Sequence, residues 1–415
     1  MRRWRRYYRR RPATNVAADG GSVRILFTCA AELGHFLPLL PVAGSAAGAG
    51  HHVAFAVPES FRGRVEAEGF LTMKAGLDRA EIAAELDLRF PEWPTVALED
   101  RLRFALATVG ARIVAPGTVD DLVAAIASFG ADVLVHGPAV FAGPVAAELA
   151  DIPAANHSWG PLLGLDDLAA VATAAEPLWT ERALEAPPLA GMFRHLYLDI
   201  CPPSLQTAEI AAVGVAHPVR PTPAGADGAD LPSWVGELPP VPTVYVTLGT
   251  FCNRFTHLFT TVLEGVADLP VNVVVTVGDD QDPAALGPQP ANVHVARWLP
   301  ISLLLPHCRL LVTHGGSGTM LAALAGGVPL LILPQGHDHA RNAALCQARG
   351  VGRSLSPAEL SGDAVRAEVV AMLGDPRYAA AAAAVAREVA AMPGPEHAVG
   401  LLERLVAGGR PLVRR

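Results

Sequence analysis

Short apolar runs recur along the chain, each followed by a loop and a segment with helical periodicity. The first run, residues 23–29, leads through a turn into a helical pattern that stops at the glycines of 48–50. Residues 52–57 form the next run, so the opening predicts a strand–loop–helix–strand unit and a parallel sheet. A helix at 122–129, a strand at 133–136, a helix at 144–150 and a strand at 153–156 continue the alternation. Between 218 and 242 seven prolines and three glycines rule out a helix or a central strand, and the segment reads as a semi-rigid linker. The alternation then restarts: strand 244–248, helix 257–267, strands 271–277, 293–296 and 310–313, a helix from Thr319, and strand 330–333. The pattern predicts two α/β halves, residues 22–217 and 243–395, the second ending on an Ala-rich helix at 378–392. A last segment, 396–415, carries Val399, Leu401, Leu402 and Leu405, which require a covering surface.

Composition narrows this only a little. The 415 residues are 51% apolar and 17% charged, a globular balance that excludes collagenous, coiled-coil and disordered chains. Mean hydropathy is positive at +0.32, yet no run reaches eighteen apolar residues, so no membrane span is expected. The net charge of −8 is uneven. Seven arginines lie among the first eleven residues, and the remaining 404 residues sum to −15. Residues 1–21 read as a disordered Arg-rich arm, with no secretory signal and no nucleic-acid partner expected. Five scattered cysteines without a C-x-x-C pair read as small buried hydrophobes in a reducing, cytoplasmic compartment.

The chemistry concentrates after strand 310–313. His314-Gly315-Gly316-Ser317-Gly318-Thr319 opens a helix, so its glycines admit a ligand close to the backbone and its free N–H groups point outward. That is a phosphate site, to which Ser317, Thr319 and His314 add donors. No G-x-x-x-x-G-K-[ST] is present, and the glycine run fails a G-x-S-x-G elbow at its last position. Gln335 and Asp338 follow strand 330–333, at an edge where hydrogen bonds to sugar hydroxyls are available. His337 and His339 lack a third partner for a metal, and none is expected. In the first half, His35 follows the first strand at the same sheet edge. A helix amino terminus there disfavours its charged form and leaves a neutral base.

Together these residues resemble a known family. Arg297-Trp298-Leu299-Pro300, the 314–319 run, Gly327-Val328-Pro329, Pro334-Gln335, Asp338 and Asn342-Ala343 look like the donor signature of nucleotide-sugar glycosyltransferases. Gly34-His35 through Pro41 resembles their amino-terminal loop, and Met392-Pro393-Gly394-Pro395 their bacterial natural-product branch. The resemblance spans residues 22 to about 407 and implies the GT-B fold, two Rossmann-like domains whose parallel sheets face across a cleft. It further implies metal-independent, inverting transfer from a dTDP- or UDP-hexose to a hydrophobic aglycone. The nucleotide sugar would be a co-substrate, with no cofactor, and a homodimer is allowed. By the same resemblance His35 is the general base, Trp298 the wall for the nucleotide base, and Thr250, His314, Gly316, Ser317, Gly318 and Thr319 the diphosphate contacts. Gln335, Asp338 and His339 face the sugar. Phe104, Phe141 and Trp159 are candidate acceptor walls, although large apolar residues more often belong to a core.

Two positions depart from the family pattern. Where many relatives place a carboxylate behind the catalytic imidazole, this chain reads His136-Gly137-Pro138. That expects a weaker base, suited to a phenol, or a silent homologue that binds a partner enzyme. Ala322 stands where UDP-using plant relatives carry a Glu on the ribose, which is compatible with a dTDP-sugar. An epimerase sharing the fold would leave the Gly34-His35 loop without purpose.

Overall fold

The computed structural model describes residues 21–97, 100–223, 230–250 and 252–414. The Arg-rich arm at 1–20 and the 224–229 part of the Pro-rich segment lie outside the described residues.

The apolar runs form two all-parallel sheets. In the first, β1 (Arg24–Thr28), β2 (His52–Val57), β3 (Leu71–Lys74), β4 (Val133–His136), β5 (Ala154–His157), β6 (Leu196–Asp199) and β7 (Ala216–Pro218) lie in the order β3-β2-β1-β4-β5-β6-β7. In the second, β8 (Thr243–Thr247), β9 (Asn272–Thr276), β10 (Val293–Ala296), β11 (Leu310–Thr313), β12 (Leu330–Ile332) and β13 (Gly352–Ser354) lie in the order β10-β9-β8-β11-β12-β13. Helices cover both faces, which is why the central strands are continuously apolar rather than alternating. Successive residues still divide between layers: Ile25 and Phe27 pack into one cluster, Leu26 into another.

Each sheet reverses its winding once, between β1 and β4 and between β8 and β11. The crevice outside the carboxyl ends of such strands is where open α/β sheets bind ligands. The helical turn Leu33–Phe36 follows β1 and Gly137 follows β4. Gly249-Thr250 follows β8, and the 314–319 loop follows β11. Chain order alone therefore delivers four chemistry-bearing loops to two equivalent edges.

Residues 75–105 and 160–195, where the alternation predicts no element, contain the helices Arg79–Arg89 and Leu165–Thr180. The latter packs on a π-helical segment, Ala105–Val114, whose wider turns are common beside functional sites. The carboxyl-terminal helix, Pro395–Gly408, returns to the first domain and lies on the helix Leu40–Gly48. Val399, Leu401, Leu402 and Leu405 are buried in one cluster with Leu40, Val42, Ala43 and Ala46, so this is the surface they require.

Candidate active site

A cavity of about 530 Å³ opens where the carboxyl edges of the two sheets meet. Glu32, His35, Arg79, His157 and Trp159 line it from the first domain, and Thr250, His314, Ser317, Asp338 and His339 from the second.

His35 sits in the short helical turn after β1 with its side chain 21% exposed. Its ring meets the edge of Trp159 at 4.6 Å between centroids. Nε2 lies 4.0 Å from Glu32 Oε2, while Nδ1 is buried without a hydrogen-bond partner. Burial lowers the pKa of this imidazole, and the charges of Glu32 and Asp338 oppose the shift. The shift favours the neutral form expected from sequence, with burial as its leading cause, and the helical turn is only four residues long. The side chain missing at Gly137 would have open space, with Cys29 Cβ at 4.0 Å as its nearest neighbour.

The opposite wall is built around a second imidazole. His314 is buried, and the desolvation pushes its pKa down to about 3, aided by the nearby His339 and His337. Two glycines make room for its ring. A Cβ at Gly249, whose φ is +66°, would fall 2.5 Å from Cε1, and one at Gly316 would fall 2.5 Å from Nε2. His314 thus meets a ligand as a neutral N–H dipole, not as a cation. Ser317 then starts the helix Ser317–Ala325, with Gly316 as its extended N-cap and no side chain competing for the first N–H groups.

A hydrogen-bonded junction ties this loop to the next one. Ser317 Oγ donates to Asp338 Oδ2 at 2.6 Å. Asn342 Nδ2, fully buried, donates to Gly315 O at 2.8 Å and to both Ser317 Oγ and Asp338 Oδ2 at 3.0 Å. His339 packs edge-on against His314 at 4.7 Å, and burial lowers its pKa to about 4. The loops after β11 and β12 therefore behave as one unit.

The sequence-derived residues divide in two. His35, Trp159, Thr250, His314, Gly316, Ser317, Gly318, Thr319, Asp338 and His339 come together at the cavity. Trp298, Gln335, Phe104 and Phe141 are not among the described residues lining it. Trp298 is 50% exposed on the surface after β10. Gln335 folds back, its Nε2 donating to Leu333 O at 3.2 Å. Two of the candidate acceptor walls lie away from the cavity lining. Phe104 packs edge-on against Phe90, and Phe141 is core beneath the π-helical segment, where it fills the space left by Gly110. Ala105, Leu106 and Val109 of that segment supply the apolar wall instead.

Sequence reasoning missed Glu32, Arg79 and His157. Glu32 is the extended N-cap of the Leu33–Phe36 turn, three residues before His35, and its carboxylate reaches to 4.0 Å from the imidazole. His157 donates through Nδ1 to Ser158 O at 2.7 Å, its pKa lowered by burial to about 4, with no motif to mark it. All five cysteines are buried and unpaired, and burial pushes the Cys29, Cys252, Cys308 and Cys346 thiols up to about 12. Among the described residues no group of three or more His, Cys, Asp or Glu side chains is arranged to hold a metal ion, and no helix is long and apolar enough to cross a membrane.

This two-domain architecture, meeting at its switch points around a phosphate-type loop, is that of the GT-B glycosyltransferases. The crystal structure of the glycosyltransferase SnogD from Streptomyces nogalater matches it with a TM-score of 0.72 and 27% identity, over 93% of this chain and all of that one. The glycosyltransferase VinC, solved in complex with dTDP, matches with a TM-score of 0.75 and 26% identity over 93% and 100%. The chain belongs, more narrowly, to the glycosyltransferases of antibiotic biosynthesis. It is 30% identical to the 10-deoxymethynolide desosaminyltransferase of Streptomyces venezuelae, across 94% of this chain and 98% of that protein. Residues 260–405 match the family described as "Erythromycin biosynthesis protein CIII-like, C-terminal domain".

Proposed function

We propose that the protein moves a deoxyhexose from a dTDP-sugar to a hydroxyl of a hydrophobic polyketide-type aglycone, with inversion, without a metal ion or cofactor, in the cytoplasm. The observation that carries this reading is that His35 and the 314–319 loop line one cavity from opposite domains. The acceptor oxygen attacks the anomeric carbon as the bond from that carbon to the diphosphate breaks. The acceptor's proton passes to His35, and the leaving charge is met by the N–H groups of Ser317, Gly318 and Thr319 and by neutral His314. Asp338 and His339, which line the cavity, would face the sugar hydroxyls. The unpartnered Nδ1 of His35 suits a weakly basic imidazole, and hence a phenolic hydroxyl better than an aliphatic one.

Ala322 lines the cavity, and an apolar residue there leaves no polar group unpaired beside a deoxyribose. Relatives support the same donor class: VinC was solved with dTDP, and the venezuelae relative is named for transfer of desosamine. The test is a nucleotide thermal-shift series followed by transfer assays with phenols and alcohols. dTDP is expected to stabilise more than UDP, and His35→Ala to lower transfer by about 10²–10⁴-fold while nucleotide binding persists. Equal stabilisation by UDP would sink the donor assignment, and full activity in His35→Ala would sink the base.

A further inference from the structure

The two domains touch at a point that no donor or acceptor role explains. Gly160 follows Trp159 on the first domain, and a Cβ placed there would lie 2.5 Å from Ser317 Oγ and 2.7 Å from Ser317 Cβ. Its backbone does not need glycine, because φ at Gly160 is not positive. The requirement is for space.

Neither side has freedom to yield. Rotating the Ser317 side chain moves Oγ but leaves Cβ where it is. Oγ is in any case held by Asp338 at 2.6 Å and Asn342 at 3.0 Å. The first-domain loop is pinned on both flanks of Gly160. Ser158 Oγ accepts the Ile200 N–H at 2.8 Å, and the Leu162 N–H donates to Gln206 Oε1 at 2.8 Å. One residue before the contact, Trp159 lies against His35.

We infer that Gly160 is a positioning residue for transfer: its bare Cα lets the Trp159-Gly160 loop seat on Ser317, and this contact sets His35 and its acceptor wall at working distance from the donor loops. The inference rests on the transfer reaction proposed above. A side chain at 160 forces the loop, or the whole first domain, back by about 1 Å before ordinary contact is restored, and a displacement of that size costs on the order of a hundredfold in a positioned reaction. Donor binding is built from the second domain and does not depend on the contact.

The experiment compares Gly160→Ala, Ser317→Gly and the double variant with the wild type. Isothermal titration with dTDP, steady-state transfer and amide hydrogen exchange are the readouts. In Gly160→Ala, dTDP affinity is expected to stay within threefold, kcat to fall at least tenfold, and the amides of 158–162 to exchange faster. In the Ser317→Gly background, where the obstructing side chain is gone, adding Gly160→Ala is expected to cost less than threefold. Wild-type kcat and exchange in Gly160→Ala would overturn the inference, as would an undiminished loss in the Ser317→Gly background. Exchange reads the contact without any assay of transfer. A wild type that neither binds dTDP nor transfers would therefore count against the proposed reaction, with the contact judged separately.

Discussion

At the scale of single residues the cavity holds imidazoles whose charged form burial disfavours. Burial lowers the pKa of His35 against the pull of two carboxylates, Glu32 foremost. A base whose pKa lies below that of free imidazole, about 6.5, stays active into mildly acidic solution. The acid limb of kcat/KM is accordingly expected below pH 6.5. Glu32→Gln removes the charge that raises the pKa, so the limb should move further down in pH and the base should weaken. A limb that stays in place in a pH–rate profile, or moves up, would show that Glu32 does not act on His35. Glu32 also sits 3.7 Å from Arg79, itself 64% exposed, so this pair bounds the cavity mouth and its effect is open to screening by salt. Sequence singled out His35 because it follows the first strand at the same sheet edge as the 314–319 loop. It could not show that Nδ1 lacks a partner, because that depends on the side chains the fold packs around the ring.

At the scale of elements, the strands with uninterrupted Val and Leu runs were legible and the short outer ones were not. β3, β7 and β13 are edge strands of three or four residues with polar members, among them Thr72 and Lys74, His217, and Arg353 and Ser354. β6 is buried, yet four residues ending in Asp199 give no periodicity to read. The same limit applies to the acceptor walls. Phe104 and Phe141 are apolar in the right region, but only the π-helical register decides that Leu106 and Val109 face the cavity. The 314–319 loop was legible because its chemistry is local: glycines are needed by the turn itself. Gly315 shows this most directly, with φ at +95° and Ile332 Cγ2 2.6 Å from where a Cβ would lie. Gly315→Ala is expected to cost about 1–3 kcal/mol in urea unfolding and to weaken dTDP binding by at least tenfold. Unchanged affinity by calorimetry would mean that the loop does not hold the diphosphate.

At the scale of the molecule, the two halves predicted from the alternation of strands and helices are tied together by the returning chain. The chain leaves the first domain near β7, builds the second, and comes back. Arg220 N donates to Pro393 O at 2.6 Å, Glu388 accepts from Ser204 N at 2.8 Å, and Glu403 lies 3.1 Å from His51. Further on, His217 Nε2 lies 2.9 Å from Leu412 O, so the tail is fixed beside β7. The apolar face of the Pro395–Gly408 helix completes a core that includes Leu40 and Val42 of the first domain and continues into the second. Leu402 is fully buried there. If that helix is structurally part of the first domain, Leu402→Ala removes a core side chain and should cost about 2–5 kcal/mol, read as a lower urea midpoint at an unchanged slope. A dispensable tail would instead give a change within about 0.5 kcal/mol, as for surface substitutions. The distinction bears on catalysis, because this helix and the Gly160–Ser317 contact are separate places where the domains hold one another. The helix fixes the sheets' approach from behind the cleft, and Gly160 sets the last ångström inside it. Leu402→Ala should therefore lower stability while leaving kcat at 25 °C within threefold of wild type, and a large loss of kcat in the folded variant would show that closure is governed from the helix instead.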